Sequence, residues 1–286
     1  IYLHQGGHGG NPPAEMVNRW FSHYLYGVDN GVERDPPVWI VQDAAAQAPN
    51  AVAPQVVAGP QRGRGRVTTA PTPFASFPVS GSVPVELHPA AGGNGVAALS
   101  FTAGVGTDKL VDDVAMSGSA GASEAQSPHR LLYALPPFTD TVHISGTPQV
   151  TLRIASSKPA ANLSVWLVML PYDSARVGSQ SHVGLIDRGW ADIQNYKSLT
   201  KGGPYESTKP GEKLVPGRFY DLTFDLEPDD EFVPAGKRLA VMILSSDREF
   251  TLWPQAGTQL MVDLAHSSFS IPIVGGMAAL AKAGVR

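Results

Sequence analysis

Near the start of the chain the short apolar run Ile1-Tyr2-Leu3 feeds His4-Gln5-Gly6-Gly7-His8-Gly9-Gly10. Met16, Val17, Trp20, Phe21, Tyr24 and Leu25 then recur at i, i+1, i+4, i+5, i+8 and i+9. That spacing predicts a helix with a wide apolar stripe. Asn11 can cap it, proline at 12 and 13 is tolerated in a first turn, and Glu15 suits the positive end of the helix dipole. Gly27 suits the C-terminal cap. The segment thus reads as a strand, a glycine-rich loop carrying two histidines, and an amphipathic helix. Little else nearby reads as helical, so the stripe is expected to face sequence outside this chain.

Asp35-Pro36-Pro37 breaks the helical period, and Val38 to Gln42 reads as a buried strand. Residues 43–73 are loop-rich, dominated by Ala, Pro, Gln and Gly. Within them Arg62-Gly63-Arg64-Gly65-Arg66 reads as a solvated loop, with a basic binding or cleavage site as the sharper alternative. From about residue 74 onward the apolar period is close to two. Runs at Val79 to Leu87, Val96 to Phe101, Thr141 to Gly146, Gln149 to Ala155, Leu163 to Leu170, Phe219 to Leu226, Arg238 to Leu244, Gln259 to Leu264 and Ser268 to Ile273 read as strands. Short strands separated by Gly, Pro, Asn and Asp predict a mainly β fold, a jelly-roll β-sandwich.

Composition agrees. Charged residues make up 16% of the chain, below the roughly 25% of an average domain, while 30 Gly and 25 Pro favour turns over long helices. A net charge of −4 gives no electrostatic reason to expect nucleic acid or an anionic membrane as partner. No apolar run approaches the roughly 20 residues of a membrane helix. With no Cys, disulfides and thiolate metal sites are excluded. Absence of Cys is compatible with secretion, toward which the reading leans, and with the cytoplasm. No cofactor is expected.

His8 is the candidate for chemistry. Glycines on both sides widen the backbone choices of its loop. A loop after a strand end is where an α/β-hydrolase carries its triad histidine, last in the order nucleophile, acid, histidine. His4 is the competitor, with packing or a supporting hydrogen bond as its plainer role. The pair lacks the helical i, i+4 placement that zinc needs, because Gly6-Gly7 disfavours a helix there, so no metal site is expected. The nearest approach to a nucleophile elbow, Ser117-Gly118-Ser119-Ala120-Gly121, lacks the first glycine, precedes no helical pattern and reads as a flexible loop. Asp112-Asp113 and Asp229-Asp230 read as solvated turn acids. Trp166 reads as core, Trp190 as an interface candidate, and Trp253 as a third aromatic that a sugar platform could use.

The opening stretch with its helix bearing Trp20 and Phe21, then Pro36-Pro37-Val38, resembles the end of the catalytic domain of Xaa-Pro dipeptidyl-peptidases, a group that includes cocaine-esterase-like and α-amino-acid-ester-hydrolase branches. Asp187-Arg188-Gly189-Trp190-Ala191-Asp192, Pro216-Gly217-Arg218-Phe219-Tyr220-Asp221-Leu222, Pro234-Ala235-Gly236-Lys237-Arg238-Leu239 and Ser270-Ile271-Pro272-Ile273-Val274-Gly275-Gly276 resemble that family's C-terminal jelly-roll, galactose-binding-like domain. The resemblance implies that residues 1–35 are the last strand, loop and helix of an α/β-hydrolase domain and 36–286 the jelly roll. It implies that His8 is the triad histidine, that serine and acid lie on an N-terminal catalytic segment, and that the substrate is a peptide with proline second, released as a dipeptide through an acyl-enzyme. Two alternatives stay open: a non-catalytic carbohydrate- or protein-binding jelly-roll module, and an ester or acyl-amide hydrolase of the same superfamily. Oligomeric state stays open too.

Overall fold

The computed structural model describes residues 1–4, 11–42, 70–172, 184–204, 211–248 and 250–286. In chain order the strands are β1 (Tyr2–His4), β2 (Val38–Val41), β3 (Thr72–Phe74), β4 (Ser82–Pro89), β5 (Ala97–Ser100), β6 (Thr107–Val111), β7 (Arg130–Ala134), β8 (Val142–Gly146), β9 (Gln149–Ser156), β10 (Asn162–Leu170), β11 (Leu185–Asp192), β12 (Phe219–Asp225), β13 (Asp229–Val233), β14 (Arg238–Leu244) and β15 (Gln259–Val274). The helices are α1 (Ala14–Tyr26), α2 (Gly118–Ser123) and α3 (Gly276–Lys282).

The expected sandwich is present. One layer runs β11-β10-β14-β7-β5; in the other, β15 pairs with β4, β6, β8 and β9, with β12 on β9 and β13 on β8. A short β4–β5 pairing, His88 with Ser100 and Pro89 with Leu99, stitches the layers together. Between them lie Leu87, Leu131, Ile154, Leu163, Val241 and Phe269, all buried. β10 shows why its sequence reads as one continuous apolar run. Leu163, Val165 and Leu167 face the core between the layers, while Trp166, Val168 and Leu170 pack with Ala122 of α2 on the opposite face. A strand buried on both faces has no polar side to alternate with.

Several expectations are corrected. The runs at Gln259 and Ser268 form one 16-residue strand, β15, whose pairing with β9 slips between Asp263 and Ser268. There the Asp263 carboxylate accepts from the Ala265 N–H, and Ser267 Oγ donates to the Asp263 carbonyl, so the polar interruption bends the strand without ending it. Asp230 and Asp112 are not solvated turn acids. Asp230 is buried on β13 and accepts from His143 Nε2 at 3.0 Å; Asp112 is buried and accepts from the N–H and Oγ of Ser246 at 2.7 and 3.0 Å. The Ser117–Gly121 stretch is not a loop: Ser117 Oγ accepts from Ala120 N–H at 3.2 Å and caps α2. Gly118 is required by close approach, since a Cβ there would stand 2.1 Å from the Trp166 ring. Helix α1 starts at Ala14 with Pro13 at its N-cap and no side-chain cap, so Asn11 does not cap it. Gly27 does terminate it, with φ 67° and its N–H on the His23 carbonyl at 2.9 Å.

The opening residues build a second, small sheet ordered β1-β2-β3. β1 and β2 are parallel, with Tyr2 opposite Trp39, Leu3 opposite Ile40 and His4 opposite Val41, and α1 is the connection between them. This is a βαβ unit, a motif of parallel sheets and not of sandwiches. Its pairing runs across residue 35, and β3 extends it antiparallel through Phe74. Val38 and Ile40 point one face of this sheet at Val79, Phe77 and Val274 of the sandwich, which attaches the two sheets.

Candidate functional site

The polar face of α1 is tied to the segment that follows it, and its apolar face borders an open groove. Arg19 donates to the Asn30 carbonyl, receives the Asn30 amide on its own carbonyl at 2.7 Å, and pairs with Asp35 at 2.8 Å. His23 Nδ1 lies 2.9 Å from the Val28 carbonyl and Nε2 lies 3.1 Å from Glu33. The Val28 hydrogen bond is the largest cause raising the His23 pKa, and the Glu33 charge adds to it. These contacts fold residues 27–35 back along α1. Of the predicted stripe, Met16 and Val17 are half-buried while Trp20, Phe21, Tyr24 and Leu25 are exposed, Trp20 at 52% and Leu25 at 68%, and no residue of α1 is buried. Between α1 and the outer face of the small sheet lies a groove of about 660 Å³, lined among others by Tyr2, Met16, Trp20, Tyr24, Val32 and Trp39. Partial burial beside it raises the pKa of the Tyr2 phenol.

At the C-terminal edge of the small sheet, β1 ends at His4 and β2 at Val41. The His4 ring lies tilted 6.2 Å from that of Tyr2. His8, and Arg62, Arg64 and Arg66, lie outside the described residues. Directly after β2, the buried Gln42 donates its amide to Asp230 Oδ1 at 3.4 Å, while His143 Nε2 approaches Asp230 Oδ2 at 3.0 Å and the His143 ring stacks on Phe232 at 4.1 Å. This cluster had no local signature in sequence. Among the described residues no group of three or more His, Cys, Asp or Glu could hold a metal ion, and no helix is long and apolar enough to cross a membrane.

Over residues 30–283 the sequence matches the family described as the X-Pro dipeptidyl-peptidase C-terminal non-catalytic domain. The chain belongs to this family. A Rhodopirellula baltica protein named "Putative Xaa-Pro dipeptidyl-peptidase" is 40% identical over 279 residues, covering 96% of this chain and 40% of its own length. A Bacillus anthracis protein of the same name is 29% identical over 280 residues with the same two coverages. The chain therefore spans about two fifths of these relatives. Among solved structures, a CocE/NonD family hydrolase from Staphylococcus aureus aligns with TM-score 0.58 at 14% identity over 91% of this chain and 45% of that one. An α-amino acid ester hydrolase aligns with TM-score 0.58 at 18% identity over 90% of this chain and 44% of that one. These two show the shared fold. The relatives carry names of peptidases and hydrolases, whereas the domain itself is described as non-catalytic. That description begins at residue 30, after His8 and α1. The Rhodopirellula match leaves out only 4% of the chain, about 11 of 286 residues, so it takes in part of the stretch before residue 30.

Two further acids of this X-Pro dipeptidyl-peptidase C-terminal domain, Asp187 and Asp247, are buried. Asp247 Oδ2 accepts from the indole N–H of Trp166 at 2.9 Å and of Trp190 at 3.3 Å. So Trp166 is core, as expected, but with a polar task. Trp190 is half-buried, and Trp253 is 60% exposed. Asp187 is 4% exposed and accepts from the Arg188 N–H at 2.5 Å. Burial pushes its carboxyl up to about 8 against the backbone donor, and the charges of Asp229 and Glu227 push the same way. The linkage sign follows: the folded state holds this proton more tightly than the unfolded chain, so stability falls as pH rises from about 3.8 to about 8. Asp187→Asn is expected to flatten that decline, raising the urea midpoint at pH 9 and leaving it little changed at pH 4. An unchanged midpoint at pH 9 would contradict the assignment.

Proposed function

We propose that this chain completes a serine hydrolase of the Xaa-Pro dipeptidyl-peptidase type by supplying the triad histidine, His8, to a catalytic segment that carries the serine and the acid. The observation that carries the proposal is the βαβ unit. A parallel pair with one crossover helix belongs to sheets covered on both faces and built of more strands than two. Here β1 pairs only with β2 among the described residues, and most of the stripe of α1 is exposed. Both features fit a unit whose remaining strands and helices come from elsewhere in the complete protein. The strands of this unit run to Phe74, so we place the division between the catalytic sheet and the sandwich after β3, later than residue 35.

In the proposed mechanism His8 takes the serine proton as the oxygen attacks the prolyl carbonyl. It then gives that proton to the departing amine as the acyl-enzyme forms. Water next attacks the acyl-enzyme with His8 as base, and the proton returns to the serine as the Xaa-Pro dipeptide leaves. The groove beside Trp20 and Trp39 is the seat of a helix or strand of the catalytic segment.

The test is hydrolysis of a Gly-Pro anilide by the catalytically complete protein, with and without His8. The docking face has its own readout. Trp20→Ser on half-exposed Trp20 is expected to shift the stability of the chain by no more than about 0.5 kcal/mol while weakening its association with the catalytic segment at least about tenfold. Unchanged association would contradict the docking assignment.

A further inference from the structure

We infer that the outer face of β10 and β11 carries a binding site for a short acidic saccharide, with Arg188 taking a hexuronate carboxylate and the rings of Trp190, Phe250 and Trp253 taking the sugar faces. The site needs neither His8 nor a catalytic segment.

Strand register builds the strip. Arg188 stands opposite Trp166, Trp190 opposite Ser164 and Asp192 opposite Asn162. Trp166 packs on the outer face of β10, so Arg188 and Trp190 share that face. The loop after β14 is folded onto it. The Asp247 carboxylate accepts both indoles, the Asp247 carbonyl accepts the N–H groups of Phe250 and Thr251 at 2.9 Å each, and Asn162 donates its amide to the Leu252 carbonyl. The rings of Trp190 and Phe250 are 5.9 Å apart, and the Arg188 guanidinium lies 5.2 Å from the first and 3.7 Å from the second. Stacking fixes the plane of the guanidinium and leaves its N–H edge open, which is the edge a carboxylate takes. Among the described residues this guanidinium makes no hydrogen bond and no ion pair. From Trp166, beside Arg188, to Asn162, where Leu252 is tied, the strip runs about 13 Å. Along it Leu252 is 87% exposed, Trp253 60% and Phe250 48%.

Size and place decide the occupant. The open area of these side chains is on the order of 400 Å², about half of the roughly 800 Å² that one side of a stable protein contact buries. A short, flat ligand fits it better than a protein. The unused guanidinium calls for an anion, and rings already held in place pack on the apolar C–H faces of sugars at little ordering cost. β14 begins beside α3, through Phe138 and Thr139, and runs seven residues before the loop. The strip thus lies about 20 Å from the end of the sandwich that carries the small sheet. A catalytic segment seated on α1 leaves it open.

The test is calorimetry of the full chain with trigalacturonate, and with its methyl ester as the uncharged control. The acid is expected to bind at least about tenfold more tightly than the ester. Arg188→Met is expected to lose at least about tenfold for the acid and nothing for the ester, so that it no longer separates the two. Its unchanged affinity for the ester also shows that the rings remain in place. Trp253→Ala is expected to weaken both ligands about fivefold. No acid binding at millimolar ligand overturns the inference, as does an ester that binds equally well, or an Arg188→Met chain that still prefers the acid. Binding by the chain that is lost in the catalytically complete protein overturns it by assigning the strip to the catalytic segment. A dimer that Trp253→Ala dissolves, with no sugar bound, overturns it by assigning the strip to a second copy.

Discussion

Replacing His8 by alanine in the catalytically complete protein is expected to lower kcat for a Gly-Pro anilide by at least about three orders of magnitude, with KM little changed. The size follows from the role. Without a base the serine attacks as a neutral hydroxyl, and the amine must leave without a proton. Both penalties fall on the transition state, which is why removing one triad member costs nearly as much as removing all. Substrate binding uses other groups, so KM is not the affected quantity. His4→Ala is the internal control. His4 ends β1 beside Tyr2, and its loss should change kcat only a few-fold. Near-normal turnover by the His8 variant, or a collapse confined to the His4 variant, would contradict the assignment.

The largest expected effect on stability belongs to Arg130. Its guanidinium is fully buried at the start of β7 and donates to five backbone carbonyls: Gly121 at 3.0 Å, Gly93 and Asn94 at 2.8 Å, and Gly95 and Glu124 at 2.6 Å. It therefore ties together the turn before β5, the end of α2 and the layer holding β7. Burial lowers the guanidinium pKa, and the charge of Glu124 offsets part of this. Arg130→Met keeps the length of the side chain but removes all five bonds at once, leaving Gly93 and Asn94 with only the N–H groups of Leu132 and Ser127 and stripping the buried Gly121 carbonyl of its guanidinium donor. The expected loss is about 3–5 kcal/mol, a large part of the 5–15 kcal/mol available to a typical domain. Arg130→Lys should fall between, because an ammonium cannot span the fork. The urea midpoint reads this directly, and an Arg130→Met protein within about 1 kcal/mol of wild type would contradict it.

The sequence made visible whatever its period could express. The stripe from Met16 to Leu25, the stop at Gly27 and the runs of β10 and β14 were legible because a helix with one apolar face and a strand with two each space their apolar side chains in a fixed way. β6 and β13 were not, since Asp108, Lys109, Asp229 and Asp230 sit in them. Their charges are met by tertiary partners, Asp108 by the Gly92 and Gly93 N–H groups and Tyr133, Asp230 by His143 and Gln42. No local pattern announces a carboxylate whose donor lies far along the chain. The same reason hid the two indoles on Asp247, whereas the α2 cap at Ser117 is a contact three residues long that the glycines at 118 and 121 disguised as loop. In the candidate site, the glycine-flanked His8 and the apolar stripe of α1 were readable, and the cluster of Gln42, Asp230 and His143 was not. The division at residue 35 followed the proline break; strand pairing passes through that break to Trp39 and on to Phe74.

The most direct test is an experimental structure of the catalytically complete protein, read at one imidazole. The account predicts His8 Nε2 within hydrogen-bond reach of the nucleophilic serine, about 2.6–3.2 Å, with Trp20 and Phe21 covered by the catalytic segment. A different histidine on that serine, with His8 turned against the sandwich or into solvent, would contradict it.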